Sequence, residues 1–207
     1  MSGYLLSYTS TALSSYESEM VATLYLECGD WESVRERVID ENVVQKGTLA
    51  SRKRLFLELK KRLTTLTGAQ LAYYREASAS EAKALTMLSC FKCYRFIYDF
   101  ATEVMRRKLL LFDYEILNSD YESFYDSKRV AYENLNTVSE ATQKKLKQVM
   151  FRMFEQAGFI DDAKRRHIQK PYLTEALIQL IVEDDPRLLG AFLYSDREID
   201  EMKKRYG

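Results

Sequence analysis

Residues 81–108 read EAKALTMLSCFKCYRFIYDFATEVMRRK. Leu85, Leu88, Phe91, Tyr94, Tyr98, Ala101 and Met105 recur at spacings of three or four, the period of one helix face. No glycine or proline interrupts them. The spacing predicts one long helix from Glu81 to about Lys108. Ala77-Ser-Ala-Ser80, just upstream, is small and polar and reads as a hinge, with Ser80 as the cap of the helix that follows. The whole chain of 207 residues holds seven Gly and two Pro, too few for a turn-rich β fold. The long helix therefore sets the class: all-α with minor β.

Working outward from the hinge, residues 1–79 read as an N-terminal helical bundle and residues 80–207 as a C-terminal helical domain. In the first, Tyr16–Glu27 has helical spacing and stops at Gly29. Asp30 caps a helix in which Trp31, Val34, Val38 and Ile39 share a face. Thr48 or Ser51 opens a third helix through Leu55, Leu59 and Leu63. Thr67 with Gln70 makes a capping box for a short fourth. In the second, Asp113–Asn134 is aromatic and acidic and suits shorter helices. Ser139 caps a helix that ends at Gly158, the position where a left-handed residue closes a helix. Phe159-Ile160 and His167-Ile168-Gln169 suggest two short strands around a basic tip. Thr174, Asp185-Pro186 and Ser195 with Glu198 mark three further helix starts.

The formal charge is zero, yet it is unevenly spread. Residues 1–41 carry −6, 42–75 carry +7, 76–143 carry −3, 144–170 carry +5 and 171–207 carry −3. The first basic block contains Arg52, Lys53, Arg54, Lys60 and Lys61 on the third helix, with Glu58 the one acid close by in sequence. Its helix–connector–helix order fits a helix-turn-helix loosely, the connector being long for that motif. The second block contains Lys144, Lys145, Lys147 and Arg152, opposite the apolar Leu146, Val149, Met150 and Met153. The helix, the glycine stop and the short hairpin with Lys164, Arg165 and Arg166 at its tip resemble a winged-helix ending. Such groups attract phosphates through counterion release. The plain alternative is solvated helix faces that pair with the acidic segments 1–41 and 183–201.

Little else points to chemistry. Cys90-Phe-Lys-Cys93 lies within the predicted long helix and lacks a second ligand pair for zinc. It also lacks the strand and helix N-terminus of a redox site, so both thiols read as structural. Cys28 makes the count odd, which fits a reducing cytoplasm better than a disulfide framework. His167 is the one histidine, and no nucleophile elbow or glycine-rich phosphate loop accompanies it. The carboxylates Asp113, Glu115, Asp120, Glu122 and Asp126 lack calcium-loop spacing. No cofactor, resident metal or small-molecule substrate is expected. Tyr94, Phe96, Tyr98, Phe100, Phe112, Tyr114, Tyr121, Phe124, Tyr125 and Tyr132 suggest a tyrosine-rich core or interface, with base stacking as the rival use. No apolar run approaches the roughly 18 residues of a membrane helix, and the start has no signal-peptide pattern.

Several of these stretches together resemble one family. Glu17-Ser-Glu-Met-Val-Ala-Thr-Leu-Tyr-Leu26, Asp30-Trp-Glu-Ser-Val-Arg35 and Asn42-Val-Val-Gln-Lys-Gly-Thr-Leu-Ala-Ser-Arg-Lys-Arg54 come first. Residues 90–106, 120–128 and 142–160 follow in the same order. The pattern resembles the BrxA proteins of bacterial BREX phage-defence systems over residues 4 to 195. The resemblance implies an all-helical protein of two small bundles that binds double-stranded DNA without catalysis, alongside other BREX components. A likeness of that family to NusB-type helical proteins keeps RNA open, and a protein–protein scaffold is the further alternative. It assigns no site residues, so the twelve basic residues named above rest on charge alone.

Overall fold

The computed structural model describes residues 3–207. The chain is mostly helical, with no sheet or barrel among the described residues. In chain order the α-helices are α1 Ser15–Cys28, α2 Trp31–Ile39, α3 Leu49–Leu63, α4 Gly68–Tyr73, α5 Ala79–Cys93, α6 Arg95–Phe100, α7 Arg106–Leu110, α8 Asn118–Ala131, α9 Glu140–Gln156, α10 Glu175–Asp184, α11 Leu188–Ala191 and α12 Asp196–Tyr206. Short 3-10 turns occur at Ser7–Ser10 and Glu133–Leu135, and Ala101–Met105 is a π turn between α6 and α7. No described helix is long and apolar enough to cross a membrane.

Local chemistry sets most of the helix starts. The Asp30 carboxylate accepts the N–H groups of Glu32 and Ser33. Thr48 and Ser51 act together in one capping box, so both candidates for that start take part. Thr67–Gln70 and Ser195–Glu198 form the same box, while Ser139 and Thr174 cap alone. Gly158 closes α9 with φ +77°, and the Phe159 N–H bonds back to the Phe154 carbonyl at 2.8 Å.

Two expectations are corrected. Ser78, not Ser80, caps α5, because Glu81 reaches back to both its backbone and its hydroxyl. The predicted single helix is broken at Tyr94, whose backbone is extended at φ −117° and ψ 92°. That departure lets the Tyr94 hydroxyl meet the Glu58 carboxylate and accept from the Arg62 Nε at 3.1 Å. It also re-aims α6, which buries Phe96, Ile97, Asp99 and Phe100, more than one stripe can cover.

The core is continuous from Tyr4 to Leu193. α5 is mostly buried in it and packs on α1, α3 and α11. Phe91 meets Phe154, Phe159 and Phe192, while Phe96 and Phe100 meet Phe124 and Tyr121. Most of the aromatic set is thus core. Phe112 and Tyr114 are exceptions and face solvent.

Glu81 ties the start of α5 to both neighbours. It accepts from Tyr73 Oη at 2.6 Å, Thr174 Oγ1 at 2.8 Å and the Ser78 N–H at 2.8 Å. The Tyr73 bond first, then those from Ser78 and Thr174, pull its pKa down to about 2. The folded value lies below the unfolded one of about 4.3. Its stabilisation is therefore complete above about pH 4.5 and disappears as pH falls toward 2. Glu81→Gln is expected to cost about 1 kcal/mol at pH 7, discounted for solvent around the carboxylate. The deficit should shrink in urea titrations as pH falls below about 4.5 and vanish only at about pH 2 and below.

Candidate nucleic-acid interface

The first block occupies the solvent side of α3. Arg52, Lys53 and Arg54 form no ion pair among the described residues; Lys53 and Arg54 are exposed and Arg52 is half-buried. The Arg52 Nε is itself buried and has no acceptor. Further along, the block is less free. Lys60 lies over the Trp31 ring at 5.7 Å. Lys61 reaches Glu58 at 3.1 Å and donates to Ser7 Oγ at 2.7 Å. Glu58 also faces the fully buried Arg62, which the charge pattern alone did not separate from its neighbours.

In the second block, α9 buries Leu146, Met150, Phe151, Met153 and Phe154. Its outer face leaves Lys144, Lys145 and Arg152 exposed and unpaired among the described residues. Lys147 differs from them. It is half-buried over the Tyr121 ring at 5.0 Å, with the exposed Glu122 at 3.7 Å. Burial first, and then the Arg166 charge, push its pKa down. Glu122 is the acid paired with Lys147.

The hairpin that follows brings Arg166 to that place. Expected as two strands, it consists of isolated antiparallel bridges, Ile160 with Ile168 and Glu115 with His167. The stretch from Tyr114 to Ile116 supplies the second partner, an interaction absent from the sequence pattern. The tip leaves room for little more, because Asp162 takes the N–H groups of Lys164 and Arg165 at 2.7 and 2.8 Å. Those bonds hold its pKa low and leave only a 3.9 Å contact to the Arg165 side chain. Lys164 and Arg165 therefore project into solvent. Arg166, at φ +57°, folds its guanidinium over Phe151 at 4.3 Å and donates to Asn118 Oδ1 at 2.8 Å.

Among the described residues, none of the twelve basic residues pairs with an acid in segments 1–41 or 183–201. Several of those acids have other partners: Glu17 with Lys46, Glu27 with Arg37, Asp184 with Lys92, Asp185 with Arg187 and Glu198 with Lys170, while Glu19, Glu36 and Asp40 form no ion pair among the described residues. α3 and α9 both pack against the 3-10 turn Ser7–Ser10, so the two blocks sit on helices separated by one strand of chain. Cys90 is buried and Cys93 half-buried; burial raises both thiols, Cys93 to about 12, which suits structural cysteines. Among the described residues no three His, Cys, Asp or Glu side chains cluster as metal ligands.

A solved protein from Magnetospirillum magneticum, titled an uncharacterized protein, has the same fold. It superposes with a TM-score of 0.82 over 93% of this chain and 98% of its own, at 20% identity. Two curated relatives are named BREX protein BrxA. The one from Bacillus cereus (strain H3081.97) is 27% identical over 81% of this chain and 82% of its own. The one from Escherichia coli O9:H4 (strain HS) is 24% identical over 84% and 83%. With the BrxA family pattern matching residues 2–185, nearly the whole of the bundle just described, this chain belongs to the BrxA family.

Proposed function

We propose that this chain is a non-enzymatic DNA-binding accessory protein of a bacterial BREX phage-defence system, working beside other BREX components. In this reading it grips the phosphate backbone of double-stranded DNA with two basic surfaces that have helix-turn-helix and winged-helix character. One observation carries the proposal. Arg52, Lys53, Arg54, Lys144, Lys145, Arg152 and Lys164 have no internal counter-charge among the described residues, and the acids of segments 1–41 and 183–201 that form ion pairs do so with other cations. Cations left open along two helices suit a polyanion better than a compact ligand.

Contacts of this kind position the protein without reading bases. With no net charge, long-range attraction is weak and the grip depends on local geometry. Gel-shift titrations of duplex DNA and RNA at several salt concentrations test the proposal. Affinity should fall steeply with salt, be similar across duplex sequences, and drop by about one slope unit for each contacting cation removed. Salt-independent binding, or stronger competition by RNA than by duplex, would count against it.

A further inference from the structure

α3 turns one side to solvent, and that side is not uniformly charged. Leu55, Phe56, Glu58, Leu59, Arg62 and Leu63 are buried and mark the inner side. At about 100° per residue, the middle of the outer side falls on Ala50 and Leu57, which lie nearly in line along the helix. Both are exposed, Leu57 by 63%. Lys53 and Lys60 lie on one flank of that line, and Arg54 and Lys61 on the other. Lys53 and Arg54 are exposed and form no ion pair among the described residues. Glu58, the one acid of α3, is buried and faces Arg62 and Lys61. The outer side is thus an apolar centre line between two rows of cations.

The two rows have the charge that duplex DNA complements, yet phosphate contacts make no use of the centre line. A helix lying in the major groove does. The groove is about 12 Å wide and admits a helix, whose flanks then face the phosphates of the two strands while its middle faces base edges. A leucine side chain offers no donor or acceptor to those edges. The apolar group presented there is the thymine methyl.

We propose that α3 lies in the major groove, with Lys53 and Arg54 on the phosphates of opposite strands and Leu57 packed on a thymine methyl group. The inference rests on the DNA-binding reading above and adds one contact to it: the cations hold any duplex, and Leu57 adds a small preference for thymine where it touches.

Gel-shift titrations test this with one A·T-rich duplex and the same sequence carrying deoxyuridine in place of thymidine, which removes the methyl groups and nothing else. The parent chain should bind the thymine duplex about fourfold more tightly for one methyl group buried. Leu57→Ser should bind the two duplexes alike, at the parent's affinity for the uracil duplex. Its salt slope should match the parent's, because no cation is removed. Leu57 is exposed, so the urea midpoint of the variant should hardly move. Equal binding of the two duplexes by the parent chain would overturn the proposal, as would a thymine preference that survives Leu57→Ser. Salt-dependent binding of both duplexes alike removes this inference only. Absent or salt-independent binding removes the DNA reading and this inference with it.

Discussion

Arg62→Met lowers the unfolding free energy by about 3–5 kcal/mol, the range for removing one partner of a buried charged network. Arg62 is fully buried, and each of its nitrogens has a task. Nε donates to Tyr94 Oη, Nη1 to the carbonyls of Ala12 and Leu13, and Nη2 to that of Thr11 at 2.9 Å. Methionine fills much of the volume and satisfies none of these acceptors. Glu58, itself buried, keeps Lys61 and Tyr94 but loses the guanidinium. A loss of this size is a large share of the 5–15 kcal/mol that holds a typical domain folded.

The effect should reach beyond α3. Arg62 anchors the end of an N-terminal strap whose course is fixed at several points. Asn134 holds Tyr4 through both backbone groups, Asp99 accepts the Tyr4 hydroxyl at 2.7 Å, and Gln156 accepts the Leu13 N–H at 3.0 Å. The strap thereby joins α3 and α6 to the 3-10 turn Glu133–Leu135 and to the C-terminal end of α9. Urea denaturation of Arg62→Met, with Arg75→Ala as control, measures the difference. Arg75 makes one exposed bond to the Leu26 carbonyl, so its loss should cost well under about 1 kcal/mol. A midpoint for Arg62→Met close to that of the control would show that the network contributes little.

The helix starts at Asp30, Thr67, Ser139 and Ser195 were legible in the sequence and this network was not, for one physical reason. A cap is closed within three residues, so Asp30, Thr67, Ser139 and Ser195 carry their own evidence. Ser78 and Ser80 are equivalent as caps until Glu81 selects one of them through its own bonds. The break at Tyr94 depends on Glu58 and Arg62, which lie 36 and 32 residues earlier. No periodicity at residues 81–108 reports on them. Phe112 follows the same logic: its spacing groups it with core aromatics, while its helix-closing position turns it outward. At the candidate site, the outer face of α9 follows from amphipathicity. The meeting of Arg166 with Asn118 joins residues 48 apart and needed the fold.

Removing Lys144, Lys145 and Arg152 together, as alanines, should weaken duplex binding by about a hundredfold near physiological salt. Counterion release makes each phosphate contact worth somewhat under one decade of affinity there. All three side chains are exposed, so the fold should survive and the urea midpoint should hardly move. Removing Arg52, Lys53 and Arg54 should have a similar effect, which makes the combination informative. If α3 and α9 hold one duplex, the two losses multiply to roughly ten-thousandfold, and the salt slope falls by about three with each set. If each block holds its own duplex, deleting one leaves the other's affinity and slope intact, and only the stoichiometry falls. Binding and slope unchanged by either set would mean that these cations are solvated faces and would overturn the proposed grip.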